Sequence, residues 1–185
     1  MKIIDNKKEA VQELKRIADR TNSENNHKIN TIVEEILQEV KNYGDIAVEK
    51  YTRKFDGFNP HPMLVSADEL RDAWDEIDIN LKRSLEVASK RIKKFHEKEI
   101  PLSFTMEGKH GDTVERRWRP VKNAGIYIPG GRAAYPSTVL MNAIPAKVAG
   151  VEEIIMVSPG NKEGEINKTV LAAAYLSGIN KVFRI

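Results

Sequence analysis

Apolar side chains in the first hundred residues recur at the three- and four-residue spacing of amphipathic helices. The clearest stripe consists of Ile32, Val33, Ile36, Leu37, Val40 and Tyr43. Gly44 follows this stripe and predicts the end of the helix, and Asp45 is predicted to cap the next one. That second helix places Ala47, Val48, Tyr51 and Phe55 on one face.

Two further helices are predicted before Pro101. Ser66 and Glu69 have the spacing of a capping box, which predicts a helix start at this point. A longer helix follows, and the pattern places Leu81, Leu85, Ala88, Ile92 and Phe95 on its inward face. We therefore interpret residues 1–102 as a helical N-terminal region that serves as a scaffold.

The period changes after residue 103. The turn residues at 109–112 predict a hairpin between two short strands. Short apolar runs at 125–128, 153–157 and 181–185 then alternate with helical patterns at 137–149 and 166–176. This order is typical of a right-handed, parallel βαβαβ unit, so the predicted fold class is α/β with a second region over 103–185.

Composition narrows the class of protein. The chain has 185 residues, of which 41% are hydrophobic and 31% are charged, as in a globular protein. It lacks cysteine, which excludes disulfides and cysteine-based zinc sites, and it lacks an apolar run of roughly 18 residues. A net charge of +3, well mixed along the chain, argues against nucleic-acid binding. No signal segment is recognised at the start, so a cytoplasmic location is expected.

A glycine turn follows the first predicted parallel strand. Ligands of open parallel sheets lie at the carboxyl ends of the strands, where Pro129, Gly130 and Gly131 stand. Ser137 or Thr138 is predicted to cap the next helix, whose N-terminus would favour an anion, and Arg132 would add a cation. The turn lacks the G-x-G-x-x-G spacing of dinucleotide sites, and Ser158 stands where an acidic residue would be expected. A tight turn and a ligand loop therefore both stay open.

Other candidate residues are equally ambiguous. Tyr127 alternates with core positions, so it is either a packed core or interface tyrosine, or a residue that offers its ring for stacking on a base or its hydroxyl to a ribose. The histidines are His27, His61, His96 and His110, and they show neither metal-ligand spacing nor a recognisable carboxylate partner. We interpret all of them as ordinary histidines, and no catalytic or metal-binding residue is assigned.

Residues 125–150 carry a long specific motif, Gly-Ile-Tyr-Ile-Pro-Gly-Gly-Arg-Ala-Ala-Tyr-Pro-Ser-Thr followed by the helix that ends at Gly150. This block strongly resembles the histidinol dehydrogenase family. The resemblance continues through Pro159, and in the helical region it includes Gly44-Asp45 and Phe95-His96. It therefore covers essentially the whole chain.

The resemblance implies a zinc-requiring enzyme that oxidises L-histidinol to L-histidine through an aldehyde and reduces NAD at each of the two steps. It also implies a homodimer of intertwined subunits and an incomplete Rossmann-like domain. The family's NAD-contacting tyrosine matches Tyr127, and Gly130 and Gly131 lie beside it as further cofactor-binding candidates.

Length is where the chain departs from the family, whose members are more than twice as long. We expect a fragment that ends inside an apolar strand at Ile185, with an uncovered sheet edge and without activity of its own. The zinc ligands and the catalytic residues are expected outside this chain. Three alternatives stay open: a related dehydrogenase of another small alcohol, a non-catalytic assembly or nucleotide-binding module, and nucleic-acid binding through the basic residues at 90–94.

Overall fold

The computed structural model describes residues 3–18, 24–130 and 134–185, with helices in the first part of the chain and strands in the last. Contacts divide the chain into two compact units, Met1–Tyr51 and Thr52–Ile185. The region boundary predicted at 102/103 lies inside the second unit, where it marks the change from helices to strands. As a domain boundary it stays a prediction.

The first unit contains α1 (Lys7–Ala18), α2 (Glu24–Tyr43) and the start of α3 (Asp45–Phe55). Gly44 ends α2 as predicted, with φ of +56° and its N–H donating to the Val40 carbonyl at 2.8 Å. The Gly44 carbonyl then accepts from the N–H of Ala47 at 3.0 Å. Asp45 is therefore the first residue of α3, and the prediction that it caps this helix is wrong, because the glycine already occupies the capping position.

Helices α4 (Ala67–Glu76) and α5 (Ile79–His96) follow in the second unit. The predicted cap is confirmed, since Ser66 Oγ accepts from the Glu69 N–H at 3.1 Å. In α5, Leu85 is buried, and Leu81, Ala88 and Ile92 pack against the core. The prediction that Phe95 faces inward is wrong. Its side chain is 64% exposed because the apolar contacts of α5 stop one turn earlier, at Ile92.

A hairpin leads from the helices to the sheet. Strands β1 (Phe104–Glu107) and β2 (Thr113–Arg116) pair antiparallel, with Phe104 opposite Arg116. Gly111 has φ of +81° in the connecting turn, as the sequence predicts for this turn. Every residue of both strands is exposed.

The remaining elements form the predicted parallel unit: β3 (Asn123–Tyr127), α6 (Pro136–Val148), β4 (Glu153–Ser158), α7 (Lys168–Leu176) and β5 (Lys181–Arg184). The strand order is β3-β4-β5 and all pairs are parallel, with Gly125 opposite Ile155 and Ile155 opposite Lys181. The α/β fold class is therefore confirmed. Among the described residues, no helix has the length and apolarity that crossing a membrane requires.

The core lies on one face of this sheet. Helices α6 and α7 pack against each other, while α5 packs on α6 and α4 packs on α7. Five consecutive residues of α7 are buried, from Val170 to Ala174, so this helix lies between the sheet and α4. The core cluster is completed by Ile126, Ile128, Val139, Leu140, Ile154, Met156 and Val182.

The outer edge of β5 is covered, contrary to expectation. Leu64 forms an antiparallel bridge with Phe183, the Val65 N–H donates to the Val182 carbonyl at 2.9 Å, and the Arg184 N–H donates to the Met63 carbonyl at 2.9 Å. The prediction of an uncovered edge is wrong here, because a three-residue bridge leaves no periodic pattern in the sequence. Residues 63–65 therefore cover the outer edge of β5 from Val182 to Arg184.

Candidate functional site

A cavity of about 210 Å³ lies at the carboxyl ends of β3 and β4. The loop after β3, the loop after β4 and the start of α7 form its walls. Its lining consists of Pro129, Gly130, Ala134, Ser158, Pro159, Gly160, Asn161, Ile166, Asn167 and Val170. Ligands of parallel α/β sheets generally lie at this edge. Pro129 and Gly130 are at the carboxyl end of β3, as predicted, and their role in binding stays a prediction.

Close contact between the two loops explains why Gly130 is a glycine. A Cβ added at this position would lie 2.6 Å from Pro159 Cγ and 3.2 Å from the Pro159 carbonyl oxygen. A larger residue would therefore push the β3 loop away from the β4 loop and change the cavity between them. Gly131 and Arg132, which the sequence analysis also named, lie outside the described residues.

Polar groups at the cavity come from the β4 loop and the start of α7. Ser158 is the last residue of β4 and is buried. Asn161 Oδ1 accepts from the N–H groups of Glu163 at 3.0 Å and Glu165 at 2.8 Å, which fixes the loop. Asn167 Oδ1 caps α7 by accepting from the Thr169 N–H at 2.9 Å.

This arrangement suits a small group that accepts hydrogen bonds. The described lining carries no charged side chain, and the N-terminus of α7 gives the cavity a partial positive charge. Asn161 and Asn167 line the cavity without having been predicted as site residues from the sequence. The capping preference of asparagine directly before a helical pattern was the signal that identifies Asn167.

The N-terminus of α6 differs from the prediction. Tyr135 occupies the N-cap position without a side-chain capping bond, and Pro136 is the first helical residue. Ser137 and Thr138 lie in the first turn, so the prediction that one of them caps the helix is wrong. Proline fits the first helical position because its fixed φ suits the helix and its missing N–H is not needed there.

Tyr127 lies at the same edge of the sheet but on its other face. Ile126 and Ile128 point into the core, and the tyrosine between them is 63% exposed. Its ladder neighbours are Val157 and Phe183, so its ring lies beside an apolar row on the sheet face that α6 and α7 leave open. Tyr127 is therefore not a packed core residue of this chain, while its interpretation as an interface tyrosine stays a prediction. The structure brings Gly130 into the cavity and places Tyr127 outside it.

The histidines do not form a metal site in the part of the chain that the structure describes. No group of three or more histidine and acidic side chains there is arranged to hold a metal ion, so the described residues do not fit zinc. His96 is a satisfied histidine, as predicted, since its Nδ1 contacts the carboxylate of Glu99. Glu99 lies three residues further on, in the turn that follows α5, so the pair itself was not predicted from the helical pattern.

Comparisons with known proteins give a consistent result. A family model described as histidinol dehydrogenase matches residues 19–185. The chain is 86% identical to a histidinol dehydrogenase of Prochlorococcus marinus strain MIT 9312, over all of this chain and 42% of that protein. It is 74% identical to the histidinol dehydrogenase of P. marinus subsp. pastoris, over all of this chain and 43% of that protein.

A solved structure agrees with the sequence relatives. The crystal structure of histidinol dehydrogenase from Elizabethkingia anophelis matches with a TM-score of 0.80 and 36% sequence identity. The match covers 84% of this chain and 36% of that one. The chain thus spans less than half the length of the relatives it matches, and by sequence and by fold it belongs to the histidinol dehydrogenase family.

Proposed function

We propose that these residues form the N-terminal part of an NAD-dependent, zinc-requiring L-histidinol dehydrogenase, which oxidises L-histidinol to L-histidine in two successive steps. Family membership over residues 19–185 supports the reaction class. The observation that carries the cofactor role is the carboxyl edge of the sheet. There the exposed ring of Tyr127, the last residue of β3, lies next to the loop whose Gly130 lines the cavity.

In this proposal the two faces of the sheet edge bind different parts of NAD. The cavity of about 210 Å³ is below the size of a typical whole-cofactor pocket, so it accommodates a part such as the diphosphate. The N-terminus of α7 and the backbone at Gly130 would face that anion. Gly131 stays a further cofactor-binding candidate by the family resemblance. The Tyr127 ring would stack on a base or on the nicotinamide from the open sheet face. When bound, NAD supplies the acceptor for hydride.

We further propose that the zinc ligands and the acid–base residues lie outside these 185 residues. The described residues offer no zinc site, and the relatives continue well beyond the matched segment, which is 42% of the first relative. On this proposal the chain alone does not oxidise histidinol. Formation of NADH from histidinol and NAD by the purified chain with added zinc would contradict it.

A homodimer is the proposed assembly. In the first unit, α1 and α2 carry large apolar side chains that are exposed. They are Val11, Leu14, Ile17, Ile29, Ile32, Val33 and Leu37. Exposed apolar stripes of this length are typical of helices that pack against another chain, and a second copy of this chain is the partner that the family resemblance implies.

The cofactor role is tested by measuring NAD binding to the purified chain by isothermal titration calorimetry. Tyr127→Ala is expected to weaken NAD binding roughly tenfold, because stacking of a base on an aromatic ring is lost. Tyr43→Ala is the matched control, since Tyr43 is also 63% exposed and lies in α2. Equal affinities of the two variants would rule out the proposed role of Tyr127.

The same titration separates the proposal from its main alternative, a module that binds nucleotides without contributing to a dehydrogenase. Two observations support this alternative: a cavity lies at the carboxyl edge of the sheet, and the described residues contain no cluster arranged to hold a metal ion. A dehydrogenase prefers the complete cofactor, so NAD should bind more tightly than AMP. Equal binding of NAD and AMP would favour the alternative.

A further inference from the structure

A second cavity lies at the opposite end of α6 from the glycine turn. Its volume is about 500 Å³, which is within the range of small-molecule sites. It is lined by His96, Glu99, Ile100, Pro101, Trp118, Arg119, Pro120, Pro145, Val148 and Ala149. Because α6 has 13 residues, this cavity is about 20 Å along the helix from the glycine turn, so it is separate from the proposed cofactor edge.

Much of the wall of this cavity is apolar. Three prolines, Pro101, Pro120 and Pro145, line it together with the indole of Trp118, which is 47% exposed. The guanidinium of Arg116 lies 4.7 Å from the centroid of the Trp118 ring, which holds the indole in place. A half-exposed tryptophan among prolines presents a surface onto which a planar apolar body can pack.

The charges around the cavity favour an anion. Three titratable side chains line it: His96, Glu99 and Arg119. The Glu99 carboxylate already contacts the His96 ring. Within the described residues, the guanidinium of Arg119 has neither a hydrogen bond nor an ion pair. Arg116, which is outside the lining, adds a second positive charge beside Trp118. A carboxylate entering the cavity would therefore find a guanidinium available for a charge-assisted, bidentate contact.

We propose that this cavity is a binding site for a small amphiphilic anion, with a planar aromatic body packed on Trp118 and the prolines and a carboxylate held by Arg119. The site does not depend on the dehydrogenase proposal, since none of its lining residues belongs to the glycine-turn cavity. Its ligand is a second small molecule that the dehydrogenase proposal does not require.

The test uses naphthalene-1-acetate and its uncharged counterpart naphthalene-1-acetamide as ligands of the purified chain. The chain has two tryptophans, Trp74 and Trp118, and each gives one indole N–H signal in a nitrogen–proton correlation spectrum. The Trp118 signal reports on the cavity, and the Trp74 signal reports on the fold outside it. Naphthalene-1-acetate should shift the Trp118 signal in a saturable way. The Trp74 signal should stay in place, since that ring stacks on Tyr175 at 6.2 Å, away from the cavity lining.

Variants of two neighbouring arginines test the anion contact. Arg119→Gln should weaken naphthalene-1-acetate roughly tenfold and leave the acetamide unchanged, because a charge-assisted hydrogen bond is lost. Arg117→Gln is the control, since Arg117 pairs with Glu115 and does not line the cavity. An unchanged Trp74 signal shows that each variant has folded.

Any of three results would overturn the proposal. If the acetate leaves the Trp118 signal unshifted at saturating concentration, the cavity does not bind this class of molecule. If the acetate and the acetamide bind equally, or if Arg119→Gln and Arg117→Gln have the same effect, the cavity does not select an anion.

Discussion

Two glycines of the first parallel strand and its loop differ in what surrounds them. Neither Gly125 nor Gly130 has a positive φ, so backbone conformation alone does not require glycine at either position. A Cβ at Gly125 would meet no atom within 4 Å, whereas one at Gly130 would lie 2.6 Å from Pro159 Cγ. Because backbone conformation is the same consideration at both positions, a difference between substitutions at Gly125 and Gly130 measures the effect of the close packing of the two loops.

Gly130→Ala is expected to lower the free energy of unfolding by about 1–3 kcal/mol, because the added methyl group overpacks the contact with Pro159. Gly125→Ala should be close to neutral, since its methyl group would enter open space and alanine lowers the entropy of the unfolded chain. Urea unfolding of both variants measures the difference. Equal losses at the two positions would show that the contact between the loops does not set the requirement at Gly130.

The face on which Tyr127 lies could not be decided from the sequence. Alternation shows that Ile126 and Ile128 share one face and that Tyr127 takes the other, but it does not show which face the helices cover. That choice depends on tertiary packing, since α6 and α7 both cover the face of Ile126 and Ile128. The exposed ring, which carries the proposed cofactor contact, follows from this packing.

Capping at the start of α4 is the clearest case of a local sequence signal that determines an element boundary. Ser66→Ala should lower the free energy of unfolding by about 1 kcal/mol, since the Glu69 N–H loses its acceptor. Ser84→Ala is the control, because Ser84 Oγ donates to the Asn80 carbonyl inside α5 and caps no helix end. Thermal unfolding compares the two. A loss at Ser84 as large as that at Ser66 would argue against the capping role.

Elements with a strong periodic pattern were predictable, and elements determined by distant contacts were not. The helices α2 to α7, the hairpin and the parallel strands all have patterns long enough to identify them. Residues 63–65 pair with β5 over three residues only, which is too short for a periodic pattern.

The start of α6 shows competition between two local signals. The hydroxyl residues Ser137 and Thr138 indicate a cap, but Pro136 is already the first residue of the helix, so neither of them can occupy the capping position.

At the scale of the whole chain, buried apolar side chains are distributed unevenly between the two units. Every residue of the main core cluster lies between Val65 and Val182, in the second unit. Helix α1 has no buried residue among those described. We therefore expect the second unit to supply its own stability and the first unit to supply the surface for self-association.

A chain comprising residues 57–185 tests this division of roles. It lacks α1, α2 and α3 but keeps the entire core cluster, so it should unfold cooperatively in urea at a midpoint close to that of the full chain. Sedimentation equilibrium should show the truncated chain as a monomer and the full chain as a dimer, because the exposed apolar stripes of α1 and α2 are removed.

A point substitution in the full chain tests the predicted dimer interface without removing any helix. Leu37→Glu places a charge within the exposed stripe of α2 and removes no buried side chain, so it should dissociate the dimer without lowering the urea midpoint of the second unit. Gln38→Glu adds the same charge one position along the helix, outside that stripe, and should leave the dimer intact. If both Leu37→Glu and the truncated chain are still dimers, the interface lies in the second unit and not on α1 and α2. There the open sheet face around Tyr127 and the exposed hairpin would be the surfaces to test next.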